Sequence, residues 1–531
     1  MEREELCDDA IELEQLVSQM KELMVEHVND SRKPGALVLD YKSPKELKQV
    51  MDLELGYDGV GVVGLMPLIQ DILKYSVNTW HPGFLDKLYA GTNPVGIISE
   101  MLISLLNANS HVYHVSPALT MIENTVSHSL AKLLGMGEKS GGITCPGGSF
   151  SNQLAMITAR TCMFPEIKTK GYHAFGKKLL VFTSVAGHYS VEKTAIALGL
   201  GTDGVIKVPC DDQGRMRTDE LERLIIKSFQ RGELPFFINA TAGTTVLGSF
   251  DPLREIGKIA KRYSLWFHVD GSWGGSLVFS EKHSHLIDGV NLADTLVLNP
   301  HKMLGAPLQC SFLLAKDKKI FSQSNSLKAE YLFHQEDDLG DGTVGCGRRP
   351  DAVKLFIGWK IYGIQGYQIR IEHAFKMVKY LTLIVKNNQR FKLVLDDPPS
   401  LQVCFWYLPI GINFDLENKK FRIMMTMITK EIHRKIMHRG KFLFDYSPLI
   451  IGDKELPCFF RIALNAPSIN EKHLDDLVCE IEKMGEGILE WFEEFGDKIN
   501  GDMKNGVNGN GCIDCANGHN IEKEVMNGFN R

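Results

Sequence analysis

The chain has 531 residues, of which 44% are hydrophobic and 23% are charged, and its formal net charge is −6. These values are typical of a globular protein with roughly two or three structural units, and the acidic balance offers no basic surface for nucleic acid or anionic lipid. No apolar run reaches the roughly 18 residues of a membrane helix, and the acidic N-terminus lacks a signal-peptide pattern. Eleven scattered cysteines favour reduced thiols and a cytoplasmic location over a disulfide framework.

Residues 2–28 are predicted to form an amphipathic helix. Apolar side chains recur at helical spacing between charged residues: Leu6, Ala10, Leu13, Val17, Met20 and Met24. Such a stripe packs either against the body of its own chain or against a partner subunit, and the spacing alone does not separate the two. Further helical patterns cover Pro94–Leu106 and Pro117–Leu134.

A glycine turn precedes the next predicted helix. Residues 145–152 read Cys-Pro-Gly-Gly-Ser-Phe-Ser-Asn, and the helix that they open extends through Arg160. The unpaired N–H groups at a helix N-terminus and the helix dipole attract a phosphate. By itself this signal is weak, because Gly-Gly-Ser is also a common start of an ordinary helix.

From Lys178 the chain alternates short apolar strands with helical segments. The predicted strands are Leu179–Thr183, Val205–Val208, Phe236–Ala240, Leu265–Val269 and Thr295–Leu298. This alternation is typical of an α/β fold, in which a mostly parallel sheet is covered by helices on both faces. Ligands bind such sheets beyond the carboxyl ends of the strands. Four polar or reactive residues follow predicted strand ends: His188, Thr245, Asp270 and Lys302.

Lys302 is the candidate reactive group. It lies in residues 299–310, which read Asn-Pro-His-Lys-Met-Leu-Gly-Ala-Pro-Leu-Gln-Cys and directly follow the last of these strands. Shelter by Met303 and Leu304 lowers the pKa of an amine, and such an amine forms a Schiff base with an aldehyde. Taken alone, a lysine in a turn is more often an ordinary surface residue.

The Asn-Pro-His-Lys-Met run and the following Leu-Gln-Cys-Ser resemble the lysine motif of the group II pyridoxal-phosphate (PLP) decarboxylases. The glutamate, cysteine-sulfinate and aspartate decarboxylase branch is the most similar, in order over residues 75–495. The resemblance implies a PLP-dependent transferase fold of type I, PLP as cofactor, and a homodimer with active sites at the subunit interface. The implied reaction converts a short acidic L-amino acid (aspartate, cysteine sulfinate or glutamate) to β-alanine, hypotaurine or GABA with release of CO2.

The resemblance also implies a role for each site residue. Lys302 would form the Schiff base with PLP, Asp270 would pair with the pyridine nitrogen, and His188 would stack on the ring. The other cofactor-binding residues would be Ser149, Phe150, Thr245, Ser272, Asn299 and His301. Ser272 departs from the family, which has an alanine at this position.

Three residues are assigned to the substrate. Arg461, within Phe-Phe-Arg-Ile, matches the family's arginine for the α-carboxylate, for which a planar guanidinium is suited. Lys87 replaces a glutamine that lies near the substrate in the family, and a cation there would pair with the acidic side chain of the substrate. Alternatively, Lys87 is an ordinary loop lysine that extends into solvent. Tyr89 is bulky where glutamate-specific members have a small residue, which favours aspartate or cysteine sulfinate. In the same segment Gly83 replaces the family's arginine.

The segment between Phe333 and Cys346 departs most from the family. It is shorter than usual and lacks the tyrosine that protonates the substrate carbon in the partner subunit's site. His334 is the candidate replacement acid, since a histidine proton is labile near neutral pH; alternatively it is an ordinary exposed residue. Without this protonation, oxygen would react with the decarboxylated intermediate and give an aldehyde instead of an amine. A catalytically inactive PLP-binding scaffold is the other alternative.

The predicted domains are a helical dimerisation segment over 1–75, a large PLP-binding domain over 76–375, a small α/β domain over 376–498 and a disordered Asn/Gly-rich tail over 499–531. Within the small domain, strands are predicted at Gln402–Trp406 and Phe459–Leu464, with a helix at Phe421–Met437. In the tail, three residues have metal-like spacing: Cys512, Cys515 and His519. Structural zinc prefers four ligands in an ordered frame, so no metal site is predicted.

Overall fold

The structure is a computed structural model that describes residues 9–493, except Ala90, Glu330, Glu336 and Asp453. The predicted tail, with Cys512, Cys515 and His519, lies outside the described residues, as does the start of the predicted N-terminal helix. Within the described part of the chain, the cysteines are free thiols. That part contains no helix long and apolar enough to cross a membrane and no cluster of side chains suited to a metal ion.

A seven-stranded sheet organises the larger part of the described residues. Its strands are β1 (Gly141–Cys145), β2 (Leu179–Ser184), β3 (Val205–Val208), β4 (Leu234–Thr241), β5 (Trp266–Gly271), β6 (Thr295–Leu298) and β7 (Ser311–Ala315). Their order is β1-β7-β6-β5-β4-β2-β3, and every pairing is parallel except the two that β7 makes. The central strands are apolar and buried along their length because helices cover both faces. The predicted α/β fold class is confirmed.

The helices surround this sheet and the smaller one. They are α1 (Asp9–Asp30), α2 (Pro44–Val50), α3 (Gly61–Tyr75), α4 (Pro94–Leu106), α5 (Pro117–Leu133), α6 (Gly148–Met163), α7 (Glu166–Lys170), α8 (Ser190–Ala197), α9 (Thr218–Gln230), α10 (Leu253–Tyr263), α11 (Lys319–Asn325), α12 (Ala352–Lys386), α13 (Lys419–Arg439) and α14 (Glu471–Gly485). Short 3-10 helices lie at Tyr113–Val115, His173–Phe175, Thr202–Gly204, Gly274–Phe279, Ser284–Ile287, Val290–Leu292 and Leu339–Gly342. Helix α12 is kinked at Gly363, whose φ is 63°.

A second sheet has four antiparallel strands: β8 (Phe391–Leu393), β9 (Gln402–Tyr407), β10 (Asp445–Ile451) and β11 (Lys454–Ala463), in the order β10-β11-β9-β8. Helices α13 and α14 pack on it, and an apolar cluster that includes Trp406 and Phe459 forms its core. Strand β11 starts at Lys454, earlier than predicted, because it forms a hairpin with β10. The register of that hairpin places Asp445 opposite Arg461.

The described residues through Gly485 form one compact unit. The predicted strands of the large sheet lie within two residues of β2 to β6 at each end, whereas β1 and β7 were not predicted. Both strands are buried along their length, with α5 and α6 packed on them, so neither strand shows an alternating pattern. The domain boundaries at 75 and 375 remain predictions.

Candidate active site

The glycine turn forms a polar cradle at the N-terminus of α6. By the geometry of a helix, the N–H groups of its first three residues have no partner within the helix. A Cβ atom at Gly148 would lie 2.6 Å from Ser272 Oγ and 2.8 Å from Asn299 Nδ2, so these two side chains converge on the turn. Asn299 is buried, and its Oδ1 has no hydrogen-bond partner among the described residues. Ser149 is exposed and Phe150 is half-buried at the same helix start.

Asp270 lies at the carboxyl end of β5 and is buried. Its Oδ1 accepts a hydrogen bond from the Ser272 N–H at 3.1 Å, and its Oδ2 accepts one from Asn152 Nδ2 at 2.9 Å. Burial acts to raise the pKa of this carboxyl. The hydrogen bonds from Ser272 and Asn152 and the charges of Lys302 and His188 outweigh burial, and the pKa of Asp270 lies below its usual value. Asp270 is therefore a buried carboxylate.

Lys302 follows β6, the strand next to β5. Burial lowers the pKa of its amine, and the charge of Asp270 opposes that shift. The backbone around the lysine is held by neighbours: Asn465 Nδ2 donates to Lys302 O at 2.8 Å, and the Lys302 N–H donates to Asn299 O at 3.0 Å. The result is an amine that deprotonates more readily than an ordinary lysine and lies within electrostatic range of a carboxylate.

Two histidines flank these groups. Burial lowers the pKa of His188, which is also influenced by Asp270 and Lys302, so His188 belongs to the same electrostatic cluster. His301 Nδ1 lies 2.6 Å from Cys310 O and 3.0 Å from Cys310 N, which leaves Nε2 as its remaining polar ring atom. Burial lowers the pKa of His301 to about 4, so its ring is neutral at physiological pH.

Arg461 and Lys87 share one carboxylate. Arg461 Nη2 donates to Asp445 Oδ2 at 3.1 Å, and Lys87 Nζ donates to the same oxygen at 2.8 Å. Arg461 Nη1 also donates to Thr245 O at 3.0 Å, which connects this group to the loop after β4. Asp86 lies 3.9 Å from Arg461 Nη2 and 3.5 Å from Lys87 Nζ. The structure thus brings together two predicted substrate-binding residues through an aspartate that sequence reasoning did not identify.

The segment around Lys87 is constrained by the backbone. A Cβ atom at Gly83 would lie 2.3 Å from Lys441 O, so the arginine usual at this position has no room here. Phe84 pairs with Leu443 and packs against Tyr89, with ring centroids 5.4 Å apart. Tyr89 is half-buried as a result.

His334 is separate from this cluster within one subunit. Its side chain is exposed, and its backbone N–H donates to Asp338 Oδ2 at 2.7 Å. Asp338 also accepts hydrogen bonds from the N–H groups of Gln335 and Tyr113, so this buried carboxylate holds the segment in place. Among the described residues, no hydrogen bond or ion pair connects the His334 side chain with Lys302 or Asp270.

Comparison with known proteins identifies the chain's relatives. Residues 44–408 match the pyridoxal-dependent decarboxylase conserved domain. This chain belongs to that family. The chain is 44% identical to the L-aspartate decarboxylase dtxS4 of Metarhizium robertsii over 451 residues, which covers 83% of this chain and 87% of that protein.

A mouse protein and a mouse crystal structure are also similar to this decarboxylase. Cysteine sulfinic acid decarboxylase is 38% identical over 458 residues, which covers 85% of this chain and 92% of the mouse protein. The crystal structure of mouse CSAD in apo form matches with a TM-score of 0.85 and 35% identity, over 90% of this chain and 99% of that one. The predicted family, the PLP-dependent transferase fold and the activity class are therefore confirmed: the chain is a PLP-dependent amino-acid decarboxylase, a carboxy-lyase.

The residues present fit PLP as the cofactor of this decarboxylase. The cradle before α6 contains unpaired N–H groups, and the donor Asn299 Nδ2 converges on it, so it offers the hydrogen-bond donors that a phosphate site requires. An amine with a lowered pKa lies within electrostatic range of a buried carboxylate, which suits an aldehyde and a basic ring nitrogen.

Sequence reasoning missed two polar residues of the candidate site of this decarboxylase. Asn152 is buried on α6 and contacts Asp270, and Asp445 joins Arg461 to Lys87. The Asn152 signal was available, because this residue stands one helical turn into the predicted phosphate-binding helix. Asp445 had no such signal, since its position depends on pairing between β10 and β11.

Proposed function

We propose that this decarboxylase releases CO2 from a short acidic L-amino acid, with aspartate and cysteine sulfinate preferred over glutamate. The observation that carries this proposal is the pair of cations, Arg461 and Lys87, joined through Asp445. A substrate with two acidic groups requires two positive partners in the site, whereas an aromatic amino acid requires one. The similarity to an L-aspartate decarboxylase and to a cysteine sulfinic acid decarboxylase supports the same choice.

Each residue has a proposed part in the reaction. Arg461 binds the α-carboxylate, and Lys87 moves from Asp445 to the acidic group of the substrate side chain. Lys302 holds the cofactor through its amine, which burial keeps available in the neutral form. Asp270 keeps a proton on the ring nitrogen, and His188 packs on the ring. When bound, PLP supplies the electron sink for the electron pair of the breaking bond between Cα and the carboxylate.

The cradle residues would hold the cofactor's phosphate. The N–H groups of Ser149 and Phe150, with the positive end of the α6 dipole, would bind that anion. Asn299 and His301 supply further polar atoms, and Ser272 adds a hydroxyl close to Gly148. Thr245 contributes through its carbonyl, which orients Arg461. Tyr89 narrows the site next to Lys87, which excludes longer side chains.

We also propose a homodimer with active sites at the subunit interface. No residue of α1 is buried in the single chain, although its apolar stripe includes Leu13 and Val17. Helix α4 likewise exposes a row of large apolar side chains: Ile98, Met101, Leu102, Leu105 and Leu106. Exposed apolar surface of this extent marks an association site. The free thiols of the described residues support a cytoplasmic location.

Proton return to Cα separates two possible products. The segment 334–345 has no tyrosine, and His334 is exposed. In the proposed dimer, His334 would act in the site of the second copy. Protonation by His334 gives the amine: β-alanine, hypotaurine or GABA. The second candidate function, oxidative deamination to an aldehyde, rests on the same missing tyrosine.

The test is an assay of the purified, PLP-loaded protein on aspartate, cysteine sulfinate, glutamate and an aromatic amino acid. We expect CO2 matched by amine from aspartate or cysteine sulfinate, with no hydrogen peroxide. CO2 matched by aldehyde and peroxide would transfer the assignment to the second function. Faster release from the aromatic amino acid, or no release from any of them, would refute the proposal.

A further inference from the structure

A chain of buried side-chain hydrogen bonds lies behind Asp270. Asn152 Nδ2 is 2.9 Å from Asp270 Oδ2, and Asn152 Oδ1 is 3.0 Å from His268 Nε2. On the other side of the imidazole, His268 Nδ1 is 2.9 Å from Thr295 Oγ1, which is 2.9 Å from Trp266 Nε1. Asn152, His268 and Thr295 are all buried. These four contacts connect α6, β5 and β6 beneath the site.

Chemistry sets the direction of every bond in this chain. Asp270 is ionised and only accepts, so Asn152 must turn its Nδ2 toward the carboxylate and its Oδ1 toward His268. His268 therefore donates from Nε2, and its Nδ1 is bare and accepts from the Thr295 hydroxyl. The indole N–H of Trp266 only donates, so it donates to Thr295. Burial lowers the pKa of His268 to about 4, in agreement with a neutral ring. All four bonds point toward Asp270.

A second arm runs from Asn152 to His188. The other hydrogen of Asn152 Nδ2 is donated to Ser190 Oγ at 3.0 Å, and Ser190 Oγ lies 2.9 Å from His188 Nδ1. Since Ser190 accepts from Asn152, its own proton is free for His188 Nδ1, which also receives the Ser190 backbone N–H at 3.3 Å. The proton of neutral His188 is thereby held on Nε2. The side-chain amide of Asn152 therefore orients the Asp270 carboxylate directly and the His188 ring through Ser190.

We propose that Asn152 and His268 are positioning residues, which hold Asp270 ionised and fix the His188 ring for the cofactor. The inference rests on the proposed roles of Asp270 and His188. Aligned hydrogen bonds polarise one another in a buried setting, so donors farther along the chain also stabilise the carboxylate. Removing a donor raises the pKa of Asp270 and weakens its hold on the ring nitrogen. The effect should decrease with distance from Asp270, from Asn152 to His268 to Thr295.

The test compares Asn152→Leu, His268→Phe and Thr295→Val, each close in shape to the original side chain. Cofactor affinity and the absorbance of the bound cofactor are measured across pH in the PLP-loaded protein, together with the unfolding midpoint. The groups that titrate or carry charge around Asp270 are His188, His268 and Lys302. Thr158→Val is the matched control, because Thr158 is buried on α6 and accepts a hydrogen bond at 3.2 Å from Asn325, which is not a member of this hydrogen-bond network.

We expect cofactor binding to weaken about tenfold or more in Asn152→Leu, less in His268→Phe and least in Thr295→Val. The pH at which the absorbance of the bound cofactor changes should shift in the same order. Thr158→Val should leave both quantities unchanged. The proposal would be overturned if folded Asn152→Leu bound the cofactor within twofold of the parent and its absorbance changed at the same pH as in the parent. It would also be overturned if the shifts in the variants followed only their loss of stability. Asp270→Asn distinguishes failure of this proposal from failure of the role proposed for Asp270. If Asp270→Asn leaves the cofactor absorbance unchanged, the role proposed for Asp270 itself is wrong.

Discussion

Lys87 offers the most direct test of substrate choice. Its amine lies 2.8 Å from Asp445 Oδ2, the same oxygen that Arg461 contacts. Replacing it with methionine removes the charge and keeps most of the apolar stem. Two unit charges about 4 Å apart interact by ~1 kcal/mol in water and ~4 kcal/mol at the dielectric of a protein surface. The Lys87 side chain is 55% exposed, so the lower part of this range applies, roughly 1–2 kcal/mol.

An interaction of that size corresponds to about a 5- to 30-fold change in kcat/KM. The assay is the ratio of kcat/KM for aspartate to that for asparagine, which has the same shape without the side-chain charge. We expect Lys87→Met to lower this ratio by that factor. Lys178→Met is the matched control, since Lys178 is a similarly exposed lysine that pairs with Glu233 at 3.4 Å. An unchanged ratio in Lys87→Met, or an equal fall in the control, would refute the assignment.

Three further predictions address the α-carboxylate contact, pH and assembly. Arg461→Lys keeps the charge but loses the forked contact with Thr245 and Asp445, so kcat/KM for aspartate should fall about 10- to 100-fold; a change below twofold would contradict the role of Arg461. The pKa of His268 is about 4 in the folded chain and about 6.5 in the unfolded chain. Between these pH values only the unfolded chain binds the proton, so the free energy of unfolding falls by up to about 3 kcal/mol as pH drops from 6.5 to 4. His268→Phe should flatten this fall in urea unfolding at pH 7 and pH 5; an equally steep fall would exclude His268 as its source. Leu105→Glu, on the exposed face of α4, should shift the protein from dimer to monomer in light scattering, whereas Ile410→Glu, equally exposed on the small domain, should not; the same effect in both would argue against this interface.

The parallel strands of the large sheet were predictable because each is a short apolar run next to a helical pattern. Their order was not. Strand β1 (Gly141–Cys145) contains two glycines, so its sequence is not typical of a strand. Strand β7 pairs antiparallel with both β1 and β6, and no local pattern predicts that pairing. A sheet position depends on contacts between distant segments, whereas sequence periodicity reports only which face of a segment is buried.

The residues of the candidate site likewise fall into those that the sequence predicts and those that only the structure connects. Lys302, Asp270 and His188 stand at the ends of predicted strands, and the motif around the lysine indicates the cofactor from the sequence alone. Asn152 was visible in the sequence, but nothing there connects it to His268, because α6 and β5 meet only in the folded chain. Asp445 is similar, since the hairpin register places it opposite Arg461.

By itself, the sequence determined the α/β class, the family and a candidate reactive lysine, because these depend on local apolar patterns and on one short run of neighbouring residues. Only the tertiary structure decided which charges share a partner and which donors aim at Asp270. Those properties depend on distances of about 3 Å between side chains that lie tens or hundreds of residues apart. Coulomb energy and hydrogen bonding change steeply over such distances, so the final arrangement of the site follows from packing.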